Sequence, residues 1–369
     1  MRKYQSLAAG FLAGAAATEM VHSLVHALRR EKTISRQQGD AEVGGDASPP
    51  NLDEAAQAGR GRDAETPAEI PVRGWKDILK RTLKEFSEDQ VPLIAAGCTF
   101  YSLLALFPGI TAFVSLYGLF ADVSDARRHI QEMSAVLPAG AISLIGDQML
   151  KVASAADGQL SFTFLLGLLT ALWSANGAMK AVISGLNIAY EEKEKRGFVG
   201  KILTPLAFTI AFLAFVIGAI ALAALGAAVG RTIGATAELI YNILYWALLF
   251  VSLAAGMTLL YRFGPSRSRV AWRWISWGSG FAALSWVIMS GGFSVYVSNF
   301  AHYDESYGAL GAAVGFMTWT WLSSMVLLLG AELNSEIEHQ TARDTTTGPP
   351  LPLGSRGAVM ADTIGQSRP

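Results

Sequence analysis

One cysteine, Cys98, in 369 residues excludes an intrachain disulfide, so cysteine usage says nothing of the redox compartment. Five histidines, at 22, 26, 129, 302 and 339, are scattered along the chain, whereas a zinc-type site needs three or four converging donors. A Gly-rich phosphate loop and a Ser/His/Asp arrangement are both missing. Charge is scarce too: 16% of residues are charged, against about a quarter in a soluble domain. A net charge of -1 leaves no basic footprint for nucleic acid. The shortage of charge is concentrated between residues 91 and 331.

That stretch holds six long apolar runs, at about 93–120, 160–183, 202–229, 239–261, 275–297 and 310–333. A helix needs about 20 apolar residues to cross a hydrocarbon core. The fold class is therefore all-α: a polytopic membrane protein with a six-transmembrane-helix bundle and surface amphipathic helices. At 1.5 Å per residue the first run is about 42 Å long, more than one crossing requires. Phe107-Pro108-Gly109 interrupts it, and proline removes a backbone donor, so a kinked or broken first span is expected. Pro205 is placed in the first turn of the third span, where proline is tolerated. Trp272, Trp274 and Trp277 read as an interfacial aromatic belt. Loops at 73–84, 193–201 and 262–273 hold thirteen Lys and Arg, while the other loops hold four (Arg127, Arg128, Lys151 and Arg231). Short cytoplasmic loops collect positive charge, which puts both ends of the six-span core in the cytoplasm.

The flanks read differently. Residues 1–30 form a weak amphipathic or marginally inserted helix, with Glu19, His22 and His26 as one polar stripe. Residues 31–72 lack apolar periodicity and read as a disordered linker. The membrane domain occupies 73–340, and the Thr/Gly/Pro-rich stretch 341–369 reads as a disordered cytoplasmic tail. Trp75, Ile78, Leu79 and Leu83 repeat at helical spacing among Lys76, Lys80, Arg81 and Lys84. This is a basic amphipathic helix that either lies on an anionic leaflet or packs on the bundle. A second amphipathic helix is expected in the 122–158 loop, around Ile142, Ile145, Met149 and Val152.

Few polar residues enter the apolar runs, and these are the candidates for function. Asn176 and Lys180 share a helix face; Lys180 either faces a partner or snorkels to the interface. Asn187 ends the second span, and Glu332 and Asn334 end the last. Pro108 is a candidate because a broken helix at membrane depth must be buried in protein or line a cavity. The cluster His302-Tyr303-Asp304-Glu305 reads as a polar rim, so no metal site, catalytic residue or cofactor is expected.

Three stretches together resemble a known family: Ala-Ala-Gly-Cys-Thr-Phe-Tyr-Ser-Leu-Leu-Ala-Leu-Phe-Pro at 95–108, the 173–190 stretch ending Gly-Leu-Asn-Ile-Ala-Tyr, and Ser-Tyr-Gly-Ala-Leu-Gly at 306–311 followed by Leu-Leu-Leu-Gly-Ala-Glu-Leu-Asn at 327–334. This ordered series is similar to the YihY/virulence factor BrkB family, formerly labelled ribonuclease BN, over about 74–340. The resemblance implies a multi-pass protein of the bacterial inner (plasma) membrane with six helices and cytoplasmic termini. It supplies no catalytic residues. RNA hydrolysis needs a metal cluster or an acid/base pair in a solvated groove, which this sequence does not offer. Two readings follow. One is a transporter or flippase-like protein for a lipid or small solute, its cavity lined by Pro108, Asn176, Asn187 and Glu332. The other is a non-transporting envelope scaffold. The expected partners are membrane lipids and either other envelope proteins or a second copy of the chain, with no nucleic acid.

Overall fold

A computed structural model describes residues 55–118, 157–233, 235–300 and 309–367. The N-terminal helix, residues 31–54 of the expected linker, the amphipathic helix expected in the 122–158 loop and the His302 cluster lie outside the described residues.

The described chain is all-helical: α1 (Val72–Glu88), α2 (Val91–Gly118), α3 (Asp157–Ala189), α4 (Phe198–Ile233), α5 (Ala235–Phe263), α6 (Trp272–Phe300), α7 (Ala309–Glu338) and the single turn α8 (Val359–Asp362). Helices α3 to α7 each contain a stretch long and apolar enough to cross a membrane, and the bent pair α1–α2 passes the same test together, a sixth span where the two count as one. They are apolar all round because lipid, not water, covers their outer faces. Only 11–17% of the crossing stretch in each of α3 to α7 is buried within the protein.

Helix α2 is continuous through Pro108, with no break. The sharp bend, 58°, comes instead between α1 and α2, where Gln90 adopts a left-handed φ of 53°. Helix α4 begins at Phe198, so Pro205 lies well inside it rather than in the first turn. There the Thr209 hydroxyl donates to the Pro205 carbonyl at 2.9 Å.

Contacts in the bundle give its levels. Gly185 of α3 packs against Leu328 of α7 and Ile94 of α2, while Gly177 packs on the Tyr101 ring. Helix α2 therefore climbs as α3 descends. At the foot of the bundle, here called the base, the α3–α4 and α5–α6 connections meet, since the Lys195 amide donates to Ser266 Oγ at 2.9 Å. Helices α6 and α7 are clasped by reciprocal tryptophan–serine bonds, Trp286 Nε1 to Ser323 Oγ at 3.0 Å and Trp319 Nε1 to Ser290 Oγ at 3.1 Å.

The largest fully buried side chains lie at or near the base, among them Trp274, Tyr190, Tyr261, Ile78, Ile275 and Ile337. Trp274 is thus core rather than belt, whereas Trp272 and Trp277 are half exposed. Two residues along a helix is a turn of about 200°, so 272 and 274 face opposite ways. Helix α1 buries Ile78 and Arg81 against the bundle and leaves Leu79 and Leu83 exposed, and Trp75 meets Trp277 with ring centres 5.5 Å apart.

The described part of the expected linker and the tail differ most from expectation. Both are ordered and fold under the base. Arg62 is buried and donates to the carbonyls of Gln340 (3.1 Å) and Gly365 (2.7 Å). Arg356 donates to those of Ala342, Arg343, Leu351 and Ala361. Two arginines thereby satisfy the irregular backbone of segments too polar to form a core of their own.

Candidate functional site

The base holds a largely buried polar layer. Arg267 and Glu338, 1% and 0% exposed, form a salt bridge. Nη2 of Arg267 reaches both carboxylate oxygens, at 2.8 and 2.7 Å, and the Thr345 hydroxyl adds a bond at 3.2 Å. The guanidinium also lies 4.5 Å from the Tyr190 ring centre. Burial works against the Arg267 charge, but Glu338, with Tyr190 and Glu192, outweighs it and raises the pKa. Burial likewise pushes the Tyr190 hydroxyl well above its ordinary value, helped by Glu338. A second pair ties α1 to α7: Arg81 Nε lies 2.5 Å from Glu336, and Nη2 donates to Gln340 Oε1 at 2.7 Å.

The sequence candidates divide between this layer and the helices above it. Asn187 is buried and bridges two connections: its Oδ1 accepts from the Ser266 amide at 2.7 Å and its Nδ2 donates to Glu194 at 3.2 Å. Asn334 is fully buried, and its Oδ1 accepts from the Gly278 amide at 2.9 Å, closing the α6–α7 crossing. Its Nδ2 has no hydrogen-bond partner. Glu332 is 1% exposed, in the surroundings of Tyr190.

Asn176 stands apart. It is buried, and its amide oxygen has no hydrogen-bond partner. Half-buried Lys180 places its ammonium 5.8 Å from the Trp173 ring centre, and Trp173 itself is exposed. Half-buried Pro108 is 14 residues beyond Ile94, which shares a level with Leu328. Taking 1.5 Å per residue along each helix, Pro108 and Glu332 are separated by about 27 Å along the bundle. The structure therefore gathers Asn187, Glu332 and Asn334 at the base and leaves Asn176, Lys180 and Pro108 at successive levels above.

Sequence reasoning missed Arg267, Glu338 and Tyr190 as one unit. Tyr190 closes a quoted motif, and Arg267 was counted only as a topological charge. Among the described residues, no three His, Cys, Asp or Glu side chains converge as a metal site.

The sequence profile of the virulence factor BrkB family matches residues 82–351. The chain belongs to that family. The matched region contains the end of α1, all of α2 to α7 and both partners of the Arg267–Glu338 bridge. The BrkB-family region is 29% identical over 264 residues to the putative ribonuclease-like protein YfkH of Bacillus subtilis, covering 70% of this chain and 94% of that one. A UPF0761 membrane protein of Paraburkholderia xenovorans is 28% identical over 276 residues, covering 72% of this chain and 62% of the relative's length. A UPF0761 membrane protein of Pseudoalteromonas atlantica is 25% identical over 300 residues, covering 74% and 94%. No solved structure matches the chain.

Proposed function

We propose that this BrkB-family membrane protein is a transporter or flippase-like protein for a lipid or small solute, set in the bacterial inner membrane with its base in the cytoplasm. The observation that carries the reading is Asn176. A buried amide oxygen without a partner costs about 1–3 kcal/mol. A polar group kept at that cost inside a membrane helix serves something that passes it. Asn187, Glu332 and Asn334 continue the polar series toward the base, and Pro108 stands above it. The name of the Bacillus relative raises a nuclease; the reading here is of a protein that is not an enzyme and does not act on nucleic acid.

The test sets a deletion-strain phenotype against membrane abundance. Asn176→Leu removes the unpaired oxygen and keeps the branched shape and the number of side-chain heavy atoms. It should abolish function at undiminished abundance, as should Glu332→Gln. Full function in Asn176→Leu would sink the reading, because helix packing alone gains from that change. Orientation is tested separately with Lys195→Cys in a Cys98→Ser background. Labelling by an impermeant thiol reagent in intact cells would invert the topology.

A second reading, a scaffold that docks partners or a second copy of the chain, draws on one observation: α1 presents Leu79 and Leu83 outward beside exposed Lys76 and Lys80. The same stripe suits an anionic lipid surface.

A further inference from the structure

A groove of about 390 Å³ opens at the base between the α3–α4 connection, the α5–α6 connection and the tail. Lys195, Arg196, Ser266, Arg267, Ser268 and Gly357 line it, with Pro265. Three cationic residues and two serines are among the lining residues, and no carboxylate is. Their partners Glu192, Glu194 and Glu338 hold the cations in place without entering the lining.

The donors are fixed but not exhausted. Arg196 is anchored, its Nη2 donating to the carbonyls of Phe263, Gly264 and Pro265 at 3.0, 2.7 and 2.8 Å. Lys195 reaches Glu192 at 2.8 Å with its side chain still 57% exposed, and an ammonium carries three donors. Ser266 Oγ accepts from the Lys195 amide, which leaves its own proton to give. Arg267 is 1% exposed, and its Nη1 is buried with no hydrogen-bond partner. A buried guanidinium nitrogen without an acceptor is costly, and an oxyanion in the groove is the kind of partner it lacks. The tail completes the wall. Gly357 has φ 74°, a left-handed conformation that favours glycine, and a Cβ there would come within 2.7 Å of Ser268 Oγ.

We infer that this groove is a binding site for a phosphate-class oxyanion, with Lys195, Ser266, Arg267 and Ser268 as its donors. Planar guanidinium, ammonium and hydroxyl donors converging from several sides suit a tetrahedral phosphate better than a planar carboxylate. A lipid headgroup and a free phosphate share this chemistry. The lipid is favoured by what adjoins the groove: α4 starts two residues after Arg196 with Phe198 80% and Val199 63% exposed, an apolar surface for acyl chains.

The test uses the purified full-length chain in neutral detergent and reads binding, so it stands apart from the transport reading. One arm measures retention of phosphatidylglycerol against phosphatidylcholine by native mass spectrometry. The other measures thermal stabilisation by inorganic phosphate against chloride at equal ionic strength. The variants are Ser268→Glu, which puts a carboxylate into the groove from an exposed position, and Lys195→Met. Each should weaken binding about tenfold or more, the worth of one charge-assisted bond. Retention of phosphatidylglycerol without a phosphate effect identifies the headgroup, and a phosphate effect alone identifies the free anion. Binding of neither, or binding unchanged in both variants, overturns the site.

Discussion

The body of the bundle and its base satisfy polar groups by opposite means. In the body, hydroxyls bond back to their own helix: Thr170 to the Leu166 carbonyl, Thr258 to Ala254, Thr318 to Val314 and Thr320 to Phe316, all at 2.7–2.9 Å. Such bonds are satisfied wherever the helix forms and specify no neighbour. At the base the bonds join residues far apart in sequence, as in Arg62 to Gly365, Arg81 to Glu336 and Arg267 to Glu338. Lipid solvates the outer faces of the body, and side-chain hydrogen bonds between its helices come from tryptophan and tyrosine. The base holds the chain's two ordered flanks and the foot of the bundle as one body. Perturbing the base should therefore cost far more than perturbing the body.

The largest effect is expected from splitting the Arg267–Glu338 pair. Arg267→Ala leaves Glu338 buried opposite only the Thr345 hydroxyl. Removing one partner of a buried pair costs about 3–5 kcal/mol. Thermal unfolding in detergent should show this as a large drop in Tm, with protease cleavage within 341–367. The double variant Arg267→Met/Glu338→Leu should recover most of the loss, because an apolar pair leaves no charge unpaired. A double variant no better than the single one would mean that Arg267 acts through Tyr190 rather than through Glu338.

An intermediate effect is expected where α6 crosses α7. A methyl added at Gly278 would run into the Asn334 side chain and the Gly330 carbonyl, whereas Gly280 has open space. Gly278→Ala should cost about 1–3 kcal/mol by overpacking. Gly280→Ala should be neutral or gain up to about 1 kcal/mol from helix propensity. Equal behaviour of the two glycines in thermal unfolding would break the claim that the base is tightly packed. In the body, Thr258→Val and Thr318→Val should each stay within about 0.5 kcal/mol of the parent. A larger loss in either would erase the contrast between the regions.

This division also decides how much of the molecule could be read from its sequence. The body was legible: α5 spans Ala235–Phe263 where apolar composition places 239–261, and α6 spans Trp272–Phe300 where it places 275–297. A lipid-facing helix is specified residue by residue, so hydropathy suffices. Asn187, Glu332 and Asn334 were legible for the same reason, as polar residues in apolar runs. The base was not. Arg62 and Arg356 sit in Gly- and Pro-rich polar segments, and their partners are backbone carbonyls, which leave no mark on composition. Arg267 adds to a count that fixes orientation, and that count is the same whether an arginine is solvated or buried. Trp274 reads as belt by residue type and as core by helical phase, and phase decided.

The smallest effect near neutral pH concerns Asp344, which organises the tail. Its Oδ1 accepts from the Thr346 amide and hydroxyl at 2.8 and 2.7 Å, and its Oδ2 from the Leu351 amide at 2.8 Å, with Arg356 4.0 Å away. Burial pulls its pKa upward, but these donors, the Leu351 amide first, outweigh it and hold the carboxyl below its ordinary value. A carboxyl depressed in the folded state adds stability above its unfolded pKa, about 3.9. That stability is lost as pH falls through the lower, folded value. Tail amides, with hydrogen exchange referenced to intrinsic rates, should keep constant protection from pH 7 to 5. Protection should fall only below about pH 4, beneath the aspartate reference value. Asp344→Asn should loosen the tail at every pH and remove the acid transition. A loss of protection already between pH 7 and 5 would assign control of the tail to another group. His339 of α7 has its Nδ1 3.7 Å from Glu336 and its Nε2 3.1 Å from the Thr363 hydroxyl of the tail, a contact between α7 and the tail. The base would then be held from α7 rather than from the tail's own turn.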